Sequence, residues 1–278
     1  MLVFLDDILI FSKTKEEHIQ HIREILTRLR SEKLFGRLKK CDFFRTEVEY
    51  LGFDMGADGI KPSLSKVKAI LEWPTPESIT GIRSFLGLCN FYRKFIRWFS
   101  EIAAPMMDLT KKDHQPFVWT DEADQAFNRL KTAMVTAPVL QLLDFEREFT
   151  VTTDPSEVSV GGILQQDFGN GLQPVCYESR KLNPAETRYS AYERELLGIT
   201  WAVGKWRHYL ASRHFVIQTD HDSLKNLPNQ PVVNRQVWKW VQVLQGYDCD
   251  IMHIPGKDNP VDFLTRRSIR ELRCMADV

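Results

Sequence analysis

The sequence predicts a mixed α/β and α+β chain. A strand–turn–strand and a helix come first, then several short helices, then a mixed five-stranded sheet with helices packed on it. Three observations carry this reading. From residue 147 onward the elements run βββαβαβα, an order that a helix-covered mixed sheet satisfies. Two of those strands, EFTVTTD and HFVIQTD, alternate apolar residues in the same phase. Between residues 62 and 137, helical periodicity is cut into short pieces, with Pro74 and Pro76 separating the first two.

Residues 1–12 read as a strand, a Leu5-Asp6-Asp7 turn and a second strand, a hairpin with acids at its tip. Residues 14–35 read as an amphipathic helix with Ile19, Ile22, Ile25, Leu26 and Leu29 as its inward stripe. A strand-rich stretch follows, with Phe43 and Phe44, then YLGF, then a turn at Ala57-Asp58-Gly59. Ser78 suits the N-cap of the next helix. A loop from Pro138 to Asp144 marks a domain boundary near 140–146. Beyond it come EFTVTTD, VSVGGILQQ and LQPVCYESR, a long helix over 189–210, HFVIQTD, a helical stretch at 233–245, the strand YDCDIMHI and a short helix from about 259. No tandem repeat or low-complexity tract interrupts the order.

A chain of 278 residues suggests about two domains. Its 43% apolar and 27% charged composition is that of a globular protein. Lys+Arg and Asp+Glu both number 37, which excludes a strongly basic coat protein. It leaves a nucleic-acid enzyme open, because an acidic centre can cancel a basic face. No apolar run approaches the ~20 residues of a membrane span, so no membrane partner is expected. The N-terminus lacks the basic segment of a signal peptide. The 5 cysteines are dispersed and include no CxxC, which argues against a zinc module or a disulfide frame. A reducing intracellular compartment, cytoplasmic or nuclear, fits best.

The chemistry lies in a set of acids. Phe149 matches Phe215, Val151 matches Ile217, Thr153 matches Thr219, and each strand ends in an acid, Asp154 or Asp220. If the strands are parallel neighbours, about 4.8 Å apart, the two carboxylates can share one site. Glu195 stands three residues after Tyr192 and four before Ile199, on the inward stripe of the long helix, whereas Glu193 points toward the Leu197 side. Asp262, in DNPVDFLTRR, is a fourth candidate. Either strand-end Asp alone would read as a turn or cap residue, and Glu195 alone as a boundary glutamate. Together, acids without a matching cation suit hard divalent ions such as Mg²⁺, and a pair of ions can drive phosphodiester displacement.

Four segments, TTDPS, YERELLGITWA, FVIQTDHDSL and IPGKDNPVDFLTRR, resemble the RNase H domain of gypsy-type long-terminal-repeat retrotransposons. FLDDILIFSK is similar to the catalytic hairpin of their reverse transcriptase, EYLGF…GI to its primer-gripping segment, and KVKAILEWPTP…IRSFLGLCNFYRKFI to the thumb and connection. The resemblance implies a partial palm over 1–61, a helical thumb/connection over 62–143, an RNase H-like domain over 144–268 and a tail over 269–278. It implies two Mg²⁺ ions, with Mn²⁺ as a substitute, held by Asp154, Glu195, Asp220 and Asp262. Asp154 would bridge both ions, Asp262 would complete the one nearest the attacking water, and Glu195 and Asp220 would complete the other. Glu193, Asp222 and Asp258 are the competing acids. Asp222 and Pro155 depart from the family pattern, and the loop IPGKDNPVD lacks the histidine many cellular RNases H carry; His253 lies earlier, on a strand. The implied substrate is the RNA strand of an RNA/DNA hybrid. The alternative is a catalytically inactive nucleic-acid-binding relic.

Asp6 and Asp7 match the paired metal-binding acids of the polymerase hairpin. The family's first metal-binding Asp and its fingers have no counterpart in this sequence, so no independent DNA synthesis is expected. Primer–template would contact Arg83, Arg93, Lys94 and Arg97, which are interleaved with aromatics in SITGIRSFLGLCNFYRKFIRWFS. Of those aromatics, Phe85, Phe91, Phe95 and Phe99 read as core. Arg180 and Lys181, with Lys205, Arg207 and Arg213 nearby, form a second basic set, and Trp201, Trp206, Trp238 and Trp240 are expected to pack. Nothing in the sequence specifies an oligomeric state.

Overall fold

Strands β1 (Leu2–Phe4) and β2 (Asp7–Leu9) pair antiparallel around a turn at Leu5, whose φ is 54°. Helix α1 (Lys15–Ser31) starts at a capping box in which Thr14 and Glu17 satisfy each other's backbone N–H. Its expected inward stripe is not buried. Ile19 and Leu26 are exposed and Ile22, Ile25 and Leu29 are half-buried; Ile19, Ile22 and Leu26 line an open groove with Phe44. An amphipathic pattern makes a face apolar without supplying what covers it. Phe43 and Phe44 form no strand; Phe44 sits in a bend at φ 57°. The computed structural model describes residues 1–111, 117–222, 224 and 235–255.

Strands β3 (Val48–Tyr50), β4 (Phe53–Gly56) and β5 (Gly59–Pro62) form an antiparallel sheet. Helices α2 (Leu64–Leu71), α3 (Ile79–Phe91), α4 (Phe99–Asp108) and α5 (Asp121–Val135) follow. Ser78 caps α3 by accepting from the Gly81 N–H at 3.1 Å. Their common core holds Phe85, Tyr92, Phe95, Phe99, Met106, Phe127 and Leu130. Phe91, expected in that core, lies outside it: at the last residue of α3 it is 54% exposed and stacks on Phe53 at the rim.

Ile60 and Leu140 exchange two backbone hydrogen bonds, at 2.8 and 2.9 Å, which tie β5 to the segment entering the larger sheet. Gly59 makes this approach possible. Its φ is +128°, and a Cβ there would lie 2.2 Å from the Leu140 carbonyl oxygen. Gly59→Ala is therefore expected to cost about 2–4 kcal/mol, read as a lower urea midpoint with an unchanged slope.

Strands β6 (Phe149–Pro155), β7 (Ser159–Asp167), β8 (Leu172–Lys181), β9 (Phe215–Thr219) and β10 (Cys249–His253) form the larger sheet in the order β10-β9-β6-β7-β8. The β9 pairings with β6 and β10 are parallel, and the rest are antiparallel. Helices α6 (Ala191–Lys205), α7 (Arg207–Leu210) and α8 (Arg235–Gln245) bury Leu196, Ile199, Val203, Trp240 and Leu244 in a core shared with Phe149, Val151, Phe215 and Ile217. Trp206 is buried, but Trp238 is exposed, opposite the apolar stripe of α8.

The sheet is covered on both faces. Val160 and Leu164 of β7 belong to the α6 side, whereas Ile163 and Tyr177 join the core of the short helices. Two successive glycines let a tryptophan approach each face: Gly161 under Trp98 and Gly162 under Trp206. The expected terminal helix from about 259 lies outside the described residues.

Candidate active site

The two strands with matched phase lie side by side. Phe149 stands opposite Phe215 and Val151 opposite Ile217, in parallel register. Their apolar residues are buried, so both strands leave the core at the same end. Asp154 is the penultimate residue of β6, and Asp220 directly follows β9. Helix α6 packs across β6 and brings its first turns over that end. Gly198 marks the contact: a Cβ there would meet Thr153 at 3.8 Å and Pro155 at 3.9 Å. Glu195, one turn earlier on the same face, is only 8% exposed.

Glu193 is occupied elsewhere. Its carboxylate accepts from the Ser190 N–H and hydroxyl, both at 2.9 Å, completing the capping box of α6. Asp222 is exposed, two residues beyond Asp220. Asp258 and Asp262 lie outside the described residues. His253 ends β10 in register with Thr219.

Thr219, whose sequence signal is only its match in phase with Thr153, touches the site. Its buried hydroxyl donates to Glu195 Oε2 at 3.3 Å and accepts from the His221 N–H at 3.2 Å. Burial, and after it the charges of Asp220 and Asp154, raise the Glu195 pKa to about 8, with the Thr219 bond opposing the rise. Among the described residues, no cation is among the groups that act on it. Among the described residues, no three His, Cys, Asp or Glu side chains form a group positioned to hold a metal ion. What the structure brings together is an all-oxygen acidic set around one buried carboxyl group, a donor chemistry that fits hard divalent cations.

Asp6 lies in the exposed hairpin turn, and Asp7 opens β2 opposite Phe4. The Tyr50 hydroxyl, donating to the Asp7 carbonyl at 3.3 Å, links this hairpin to β3.

Several candidate phosphate-binding cations have partners within the chain. Arg93 bonds the Ser179 carbonyl and lies 3.2 Å from Glu178, covering part of edge strand β8. Lys94 sits 4.1 Å from the centre of the Phe53 ring, and burial lowers its pKa. Arg97 lies over Trp98. Arg180 grips Glu186 with two bonds, at 2.7 and 2.9 Å, and Lys181 reaches Asp108 at 3.1 Å. Arg83 is exposed, with a 3.5 Å bond to the Thr110 carbonyl.

Two family signatures match the chain. One, described as a reverse transcriptase (RNA-dependent DNA polymerase), covers residues 1–55. The other, an RNase H-like domain found in reverse transcriptase, covers residues 119–217 and so includes Asp154 and Glu195. A retrovirus-related Pol polyprotein from transposon 297 of Drosophila melanogaster is 42% identical over 97% of this chain and 25% of its own length. The Pol polyprotein from transposon opus of the same fly is 35% identical over 95% of the chain and 28% of its own length. The Tf2-3 polyprotein of Schizosaccharomyces pombe is 34% identical over 96% of the chain and 20% of its own length.

The chain belongs to the retrotransposon Pol polyproteins.

The gypsy type is consistent with these relatives, of whose length this Pol chain spans about a quarter. The fold of the Pol chain also matches solved structures. A foamy viral protease–reverse transcriptase dRH in complex with double-stranded DNA superposes with a TM-score of 0.79 at 22% identity, covering 88% of this chain and 44% of that one. The foamy viral protease–reverse transcriptase in complex with an RNA/DNA hybrid gives 0.74 at 22% identity, over 88% of this chain and 34% of that one. Among the described residues, no helix is long and apolar enough to cross a membrane.

Proposed function

We propose that this Pol chain is a divalent-metal-dependent RNase H that hydrolyses the RNA strand of RNA/DNA hybrids. Its reverse-transcriptase part, with Asp6 and Asp7 in an exposed hairpin, does not polymerise by itself. The observation that carries the reading is that Asp154 and Asp220, near one end of two parallel strands, both act on buried Glu195, with no cation among the described residues acting on it.

Asp154, Glu195 and Asp220, together with Asp262, would hold two Mg²⁺ ions. When bound, the ions supply an activated water and stabilise the leaving oxygen. The chain's own part is placement. The parallel register, which runs to Thr152 opposite Gln218, would bring Asp154 and Asp220 near one another just beyond it, and the capped helix α6 would present Glu195 to both. Thr219 orients the Glu195 carboxyl group through its hydroxyl bond. Of the three, only Glu195 is buried; Asp154 is half-buried and Asp220 exposed, so the set opens to solvent on the side of the two aspartates. Exposed Arg83 is the cation best placed for primer–template or hybrid phosphates, whereas Arg93, Arg180 and Lys181 act first as structural ties.

The test is cleavage of a hybrid labelled on its RNA strand. We expect cleavage with Mg²⁺ or Mn²⁺ and none with a chelator. Glu195→Gln should lose it, while Glu193→Gln, which weakens only a helix cap, should retain it. Tight hybrid binding without turnover at saturating metal would instead support the inactive nucleic-acid-binding relic.

A further inference from the structure

The row of residues that carries Asp154 is gripped by the short-helix segment. Asp154 pairs with Gly161 across β6 and β7, and Gly161 pairs with Ser179 across β7 and β8. Residues 93–101 touch each member of this row or its adjoining turn. Arg93 bonds the Ser179 carbonyl. The Ser100 N–H donates to the Ser179 hydroxyl at 2.9 Å, and the Ser100 hydroxyl donates to the Ser179 carbonyl at 2.8 Å. Trp98 covers Gly161 so closely that a Cβ there would lie 2.6 Å from its ring.

The turn after Asp154 is held in the same way. Ser156 closes it locally, bonding through its N–H to the Ser159 carbonyl at 2.8 Å and accepting the Ser159 N–H on its hydroxyl at 2.9 Å. The Ser159 side chain is fully buried. Its hydroxyl donates to Glu101 Oε2 at 2.9 Å, with the Ser156 hydroxyl at 3.4 Å from the same oxygen. A hydroxyl–carboxylate bond in a buried setting is stronger than a neutral one. Glu101 lies in the first turn of α4, where the helix dipole favours a negative charge.

We infer that Glu101 is a positioning residue for Asp154, acting from the thumb/connection segment through the Ser156–Ser159 turn. This rests on the nuclease reading above. A catalytic constellation must be held to within about 0.5 Å of working geometry by the groups behind it. Glu101 supplies that support two residues downstream of Asp154, and Trp98 supplies it across the strand.

The experiment compares the full chain with Glu101→Ala, Glu101→Gln and Ser159→Ala. Three quantities are read: kcat and KM on the hybrid, the Mg²⁺ concentration that half-maximally raises the melting temperature, and hydrogen exchange of amides 156–160. For Glu101→Ala we expect kcat to fall by about 10- to 100-fold with KM within about twofold. The Mg²⁺ midpoint should rise severalfold, and exchange should quicken at 156–160 but not in β9. Glu101→Gln keeps an acceptor oxygen and should recover most of each effect. If Glu101→Ala exchanges faster throughout, Ser159→Ala removes the same bond by deleting one oxygen and decides the matter. A wild-type Mg²⁺ midpoint and wild-type exchange at 156–160 in both variants would overturn the inference. If the wild-type chain cleaves no hybrid, the nuclease reading falls, while the exchange and Mg²⁺ measurements still decide whether Glu101 holds the Asp154 turn.

Discussion

Asp154→Asn is expected to lower hybrid cleavage by at least about a thousandfold, or ~4 kcal/mol of barrier, with little change in melting temperature in chelator. The substitution keeps the size of the side chain and its place at the end of β6. It removes a negative charge from a set in which Asp154 and Asp220 both act on Glu195. An amide is a poor ligand for a hard cation, so the loss should fall on metal binding and turnover rather than on the fold. The β6 backbone continues to pair with Gly161 and with β9, because those bonds involve no carboxylate. Cleavage by Asp154→Asn at the wild-type rate would remove this residue from the site.

The second large effect is a pH-dependent stability that metal should abolish. The Glu195 carboxyl group has a folded-state pKa of about 8, against 4.5 for an ordinary glutamate. Between those values the folded chain keeps a proton that the unfolded chain has lost. Stability from this group is therefore fully present below pH 4.5 and declines as pH rises, until it is lost above about 8. The slope is on the order of 1.4 kcal/mol per pH unit within that window. In chelator, the melting temperature of the wild type should fall more steeply from pH 5 to 8.5 than that of Glu195→Gln, which has no proton to lose. Added Mg²⁺ should raise the wild-type melting temperature far more at pH 8 than at pH 5.5, because it binds the ionised form. Identical pH slopes in the two proteins would overturn the raised pKa of Glu195.

Much of this site was legible in the sequence because it is written in local periods. Alternation of two puts Phe149 and Val151 on one face and fixes which end of the strand Asp154 occupies. The same phase in 215–220 predicted the parallel neighbour that the sheet order shows. Helical spacing separated Glu195 from Glu193, and the capping box explains what Glu193 does instead. The cations were less legible. A basic residue among aromatics resembles a phosphate contact whether or not an acid awaits it. Arg93 finds its partners at Glu178 and Ser179, more than eighty residues away in the chain.

The amino-acid order by itself determined the strands, the capped helices and the shared phase that puts an aspartate at the same end of each strand, since each follows from backbone geometry within a few residues. Tertiary structure alone decided what meets across distance. It set Glu101 against Ser159, seated Trp98 on the bare backbone of Gly161, left the α1 stripe open and turned Phe91 outward. The reason is physical: a pattern of apolar and charged side chains fixes what a surface needs, and only the packing of remote segments fixes what it receives.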